Sequence, residues 1–126
     1  MKNLLWCSAH TPTSEQLDSL NEMGQVLFLK DVNPSMQERI NNCSSNREEL
    51  LGLVKELSGL RIELNDCTIV QLGGSPLFLY IAGATINGCR SKNVILFADS
   101  ERVSEDIPQP DGSVKKISIF KHKGWI

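Results

Sequence analysis

Ser8, Ala9, His10 and Thr11 place two hydroxyls and an imidazole within four residues, and Gly73-Gly74-Ser75 places two glycines and a hydroxyl within three. His10 is the acid–base candidate, because an unperturbed imidazole titrates at about pH 6.5 and can give or take a proton near neutrality. Ser8 stands two residues earlier. No G-x-S-x-G surrounds it and no triad partner is evident, so hydrogen bonding to a ligand is a better role for it than nucleophilic attack. Thr11 lies in the same loop and also suits a turn. The glycine loop is neither a G-x-G-x-x-G nor a Gly-Lys-Ser phosphate loop. Its placement between a strand and a helix would still offer backbone N–H groups to a phosphate, or serve as a tight turn that lets the helix pack. Three cationic candidates remain, Arg102, Lys121 and His122, all in the C-terminal quarter.

Those groups need elements to hold them. The first strand is expected over 3–8, where Leu4-Leu5-Trp6-Cys7 is apolar without alternation, as in a strand covered on both faces. Thr13-Ser14-Glu15-Gln16 is a capping box that starts a helix over 14–23, with Leu17, Leu20 and Met23 on one face and Gly24 as C′ glycine. A second strand follows over 26–29. Asn33-Pro34 caps a short helix to about residue 42. A longer helix is expected over 47–57, ended by Gly59, and 60–64 reads as either an edge strand or a connector. A third strand covers 68–72, and the glycine pair opens a helix over 75–87. That helix is apolar nearly all round, which implies burial on two sides and, in so small a domain, a second subunit. A fourth strand covers 93–98. Two alternating segments, 101–107 and 113–121, joined through Asp111-Gly112, read as a β-hairpin. The order predicts a three-layer α/β domain, mostly parallel, with an antiparallel appendage. Both candidate loops then lie beyond the carboxyl ends of strands, where open α/β sheets bind ligands.

With 126 residues, 40% of them hydrophobic, the chain has room for one domain over 1–126. A net charge of −2 supplies no broad positive field for duplex nucleic acid. No apolar run is long enough for a bilayer and no leader is visible, so a cytoplasmic protein is expected. Cys7, Cys43, Cys67 and Cys89 form no C-x-x-C pair and suit no zinc site. With scattered acidic residues, they predict free thiols, no metal site and no cofactor.

Three stretches together resemble a known group. The strand ending in Ser8-Ala9-His10-Thr11 with Thr13-Ser14-Glu15-Gln16-Leu17 looks like the opening of small CRISPR-associated Rossmann-fold (CARF) proteins of the ring-nuclease type. Val70-Gln71-Leu72-Gly73-Gly74-Ser75 is similar to their strand and glycine loop. Asp111 to Lys116 with Ile119-Phe120-Lys121-His122 is similar to their C-terminal hairpin. The resemblance implies a CARF domain in a homodimer that binds cyclic oligoadenylate, the messenger of type III CRISPR immunity, across the two-fold. It further implies linearisation of the messenger without a metal, with His10 and Ser8 catalytic. Ala9, Thr11, Gly73, Gly74, Ser75, Arg102, Lys121 and His122 would bind the ligand. The chain departs from the pattern in two places. Gly74 and Ser75 stand where an acidic residue is common, and Gly124-Trp125-Ile126 replaces an aromatic and arginine ending. A non-catalytic binder, acting as sponge or sensor, is therefore the alternative. A small α/β enzyme on a mononucleotide is a third reading, and it lacks a fingerprint.

Overall fold

A computed structural model of the protein describes residues 2–43, 46–87 and 94–126, the backbone alone over 102–105 and 117–120. Four short parallel strands form its sheet: β1 (Asn3–Trp6), β2 (Gln25–Phe28), β3 (Thr68–Val70) and β4 (Ile95–Leu96), in the order β2-β1-β3-β4. β1 is central, with Leu5 opposite Leu27 on one side and Ile69 on the other. Between the strands run α1 (Ser14–Met23), α2 (Leu29–Val32), α3 (Pro34–Asn41), α4 (Arg47–Glu63) and α5 (Pro76–Ala82). A separate antiparallel pair, β5 (Ala98–Pro108) and β6 (Val114–Trp125), completes the chain.

Side chains alternate across a strand, and the two faces of the sheet are covered by different helices. Leu4, Trp6 and Val70 face α1 through Leu20. Leu5, Cys7 and Ile69 face α3, α4 and α5 through Ile40, Val54, Leu57, Phe78 and Ile81. Three layers result, in the arrangement of a Rossmann-like α/β domain.

Several expected boundaries move, each for a visible reason. The capping box forms as read: the Gln16 N–H donates to Thr13 Oγ1 and the Thr13 N–H to Gln16 Oε1. Gly24 is extended rather than left-handed, with φ 172°. Glycine is needed there because a Cβ would run into the Lys2 carbonyl. β1 ends at Trp6 rather than at residue 8, and Leu29 leaves β2 to begin the unforeseen single turn α2. Gly59 does not stop α4, which runs on to Glu63 and absorbs the ambiguous 60–64 stretch. A mid-helix glycine costs about 1 kcal/mol, and burial of Leu53, Val54 and Leu57 in the same helix offsets it. The stop comes from Asn65 and Asp66, both left-handed (φ 61° and 52°).

The helix expected over 75–87 is α5 plus a π-helical turn, Gly83–Asn87. It is not buried on two sides within the chain. Phe78, Ile81, Ala82 and Ile86 are buried and Tyr80 is 71% exposed. The fourth strand shortens to two residues, and its expected start at residue 93, with Cys89, lies outside the described residues. Among the described residues no helix is long and apolar enough to cross a membrane.

The hairpin strands are longer than expected, reaching 98–108 and 114–125. Eleven residues in β5 make an arm about 35 Å long, and a lone two-stranded ribbon is marginal in water. Its base is tied down. Phe97 and Ile126 exchange both backbone hydrogen bonds (2.7 and 2.9 Å). The Trp125 ring meets Trp6 edge-to-face at 6.3 Å, and its Nε1–H donates to Ser19 Oγ at 3.2 Å. Removing that ring with Trp125→Ala should lower the unfolding free energy by about 2–4 kcal/mol. Urea denaturation checks this, and a loss below about 0.5 kcal/mol would mean the arm is not anchored there.

Candidate functional site

The loop after β1 is ordered by its own side chains. The His10 N–H donates to Ser8 Oγ at 3.1 Å, and the Trp6 indole N–H donates to the His10 carbonyl at 2.8 Å. Trp6 is therefore a core residue and a loop anchor at once. Ala9, His10 and Thr11 stand exposed at the carboxyl edge of the sheet, with Ser8 half-buried behind them.

The loop after β3 meets it. Gly73 N–H donates to the Cys7 carbonyl at 3.3 Å, and a Cβ built on Gly73 would lie 4.0 Å from the Ser8 Cα. The next residue of the loop, Gly74, is left-handed with φ 103°. Its missing Cβ would sit 2.8 Å from Phe78 Cδ2 and 3.2 Å from the Ile40 carbonyl. Gly74 is thus required by the turn and the packing beneath it. Ser75 is the N-cap of α5, its Oγ accepting the Phe78 N–H at 3.2 Å. Its own N–H donates to Cys43 Sγ at 3.2 Å, so the expected role of the Ser75 amide as a phosphate ligand is displaced. The Gly74 N–H, on an exposed residue, has no hydrogen-bond partner among the described residues.

Two glutamines that the sequence reading passed over support this edge. Gln37 of α3 is buried, and its Nε2 donates to the Cys7 carbonyl at 3.1 Å and to Asn41 Oδ1 at 2.8 Å. Gln71, at the end of β3, is left-handed with φ 54°. Its Oε1 accepts the Ala98 N–H at 2.8 Å, tying the strand end to the start of β5. Neither glutamine belongs to a recognisable spacing, because each acts through contacts distant in sequence.

His122 and Lys121 lie away from these two loops. His122 lines a separate cleft of about 300 Å³ with Thr13, Ser14, Glu15, Gln16 and Ser100. Its ring stacks at a tilt on Trp125, centroids 5.0 Å apart, and neither ring nitrogen has a hydrogen-bond partner among the described residues. Lys121 is exposed and pairs in register with Glu101. Arg102 lies opposite Phe120 in the middle strands of the arm, not at its start, and both side chains lie outside the described residues. A larger cavity, about 670 Å³, opens between α3 and α4. Its arginine, Arg39, is committed to Glu56. Cys7 cannot serve as a nucleophile at neutral pH, since burial pushes its thiol well above the ordinary range. Burial likewise pushes Cys67 up to about 11.

The site is therefore two touching loops on adjacent strands. One carries an exposed imidazole and a hydroxyl, the other an unpaired N–H on an exposed glycine. The loops diverge as they leave the sheet: β1 leads to α1 on one face, and β3 leads to α5 on the other. That is a topological switch point, where crevices form in α/β sheets.

A model of the family described as Uncharacterized protein MJ1673 family matches residues 2–126. No curated protein and no solved structure matches the chain.

The two glycines differ in what a side chain would meet. Gly74→Ala should destabilise the protein by about 1–3 kcal/mol, from left-handed strain and the Phe78 clash. Gly73→Ala, whose Cβ would meet nothing closer than 3.7 Å, should stay within about 0.5 kcal/mol of wild type. Thermal unfolding of the pair checks this; equal losses would show that the loop is held differently.

Proposed function

The chain belongs to the uncharacterized MJ1673 family, and we propose that this protein binds cyclic oligoadenylate, with cyclic tetra-adenylate the expected ring, at a homodimer interface and linearises it. The observation that carries the reading is the meeting of the Ser8 and Gly73 loops at the switch point between β1 and β3. The sequence resemblance to CARF ring nucleases supplies the ligand. A cyclic tetranucleotide presents the same phosphodiester face twice about a two-fold axis. Two copies of one loop pair would meet it symmetrically, and the exposed Tyr80 on α5 is compatible with a covering partner.

In the proposed reaction a ribose 2′-hydroxyl attacks the phosphorus of its own 3′-phosphodiester. The P–O5′ bond breaks, leaving a 2′,3′-cyclic phosphate and a 5′-hydroxyl. His10, exposed and free to meet substrate, takes the 2′ proton. Solvent returns a proton to the departing 5′-oxygen. Ser8 positions the attacked phosphate, and the Gly74 N–H faces the charge that builds on its oxygens. Effective catalysis here rests on holding the hydroxyl in line. No step requires a metal, since the nucleophile belongs to the substrate. The binder reading is favoured by one observation: His122, the chain's other histidine, lines a different cleft. Among the described residues, His122 is thus not beside His10 to protonate the leaving group.

Incubation with cyclic tetra- and hexa-adenylate, followed by chromatography of ligand and product, tests both readings. If the chain cleaves, His10→Ala should slow cleavage by about 10²–10⁴-fold while leaving affinity within about tenfold. A chelator should leave the rate unchanged, and light scattering should give a dimer. Tight binding without turnover establishes the binder instead. Absence of binding to either ring removes the proposal.

A further inference from the structure

Gln37 stands out among the groups that this reaction does not use. It is 5% exposed, its Nε2 makes two hydrogen bonds, and its Oε1 is buried with no partner among the described residues. The amide cannot be turned over to relieve that oxygen. Both atoms facing Nε2, the Cys7 carbonyl and Asn41 Oδ1, are acceptors, and a flipped Oε1 would oppose them. An apolar side chain of similar volume would leave no stranded oxygen, so packing alone is a poor reason for glutamine at this position.

The target of the amide gives a better one. The Cys7 carbonyl lies just past the end of β1, before the Ser8 loop, and it accepts the Gly73 N–H from the other loop at 3.3 Å. Gln37 approaches the same oxygen from α3 at 3.1 Å. One oxygen therefore joins three elements: the end of β1, the glycine loop and α3. The backbone N–H of Cys7 donates to the Val70 carbonyl at 3.0 Å, which continues the pairing of the sheet. We infer that Gln37 is a positioning residue, which holds the Cys7 carbonyl from the α3 side and so sets the spacing between the Ser8 and Gly73 loops. Asn41 keeps the amide turned the right way. The inference rests on the reading above only for the identity of the ligand.

Two variants of the full chain test it. Gln37→Leu removes the bond to Cys7 and the stranded oxygen together. Asn41→Ala, on an exposed residue at the end of α3, removes only the group that orients the amide, and it keeps the test alive if the first variant does not fold. Amide hydrogen exchange by NMR, without ligand, is the primary readout. Gln37→Leu should melt within about 4 °C of wild type and exchange the Gly73 N–H at least about tenfold faster, with Leu5 and Ile69 unchanged. Asn41→Ala should move Gly73 in the same direction by less. With cyclic tetra-adenylate, turnover by Gln37→Leu should fall by about 10²-fold, or affinity should fall if the protein only binds, as expected of a misplaced site. Wild-type exchange at Gly73 in the folded variants would overturn the inference. So would equal acceleration at Leu5 and Ile69, which marks a merely structural role. If wild-type protein ignores the cyclic adenylates, the functional proposal falls, and Gly73 exchange alone decides the role of Gln37.

Discussion

A parallel sheet has two apolar faces, and both must be covered by helices that the chain itself supplies. Crossovers between parallel strands keep one hand. A chain that starts in the middle of its sheet, goes outward to β2 and then returns past β1 to β3 must therefore place α1 on one face and the later helices on the other. The two buried clusters of this protein are the two halves of that solution. The parting of the chain beyond β1 and β3 follows from it without any further device. Ser8 and His10 lie at one lip and Gly73 and Gly74 at the other because the polypeptide has to part there.

The elements legible in the sequence were those whose signals are local. The capping box at Thr13, the Asn33-Pro34 start and the Asp111-Gly112 turn each carry their own hydrogen-bond chemistry within a few residues. What escaped depended on distant partners. Gly59 looked like a stop, yet α4 passes through it because Arg61 reaches the Cys67 carbonyl at 3.5 Å and the turn at Asn65 does the stopping. The ending Gly124-Trp125-Ile126 looked like a departure from a pattern, and it is the hairpin's anchor: Trp125 completes the face of Trp6, 119 positions away in the chain. A β-bulge near Asp99 and Ser100 gives β6 an extra residue just before that anchor. The candidate loops were legible as positions, since strand ends can be read from apolar runs. Their internal wiring was not. Ser75 N–H turning to Cys43, or Gln37 reaching Cys7, leaves no mark in residue spacing.

Three local costs of the fold lie at this edge, while the left-handed Asn65 and Asp66 lie before β3, at its other end. Gln71 holds a left-handed conformation that a side chain ordinarily avoids, at about 1–3 kcal/mol. Gly74 holds another, over a space that no side chain fits. Gln37 leaves a carbonyl oxygen stranded in the interior. Each would be easy to avoid in a fold selected for stability alone, and together they sit within a few residues of the meeting point of β1 and β3. The strain at Gln71 also has a structural return. Its side chain accepts the Ala98 N–H, so the conformation that turns the chain toward Gly73 also holds the base of the hairpin against the sheet. The glycine loop and the 35 Å arm (a length of about 3.3 Å per residue) thereby share one residue. That strand end holds the arm together with the Phe97–Ile126 pair and Trp125.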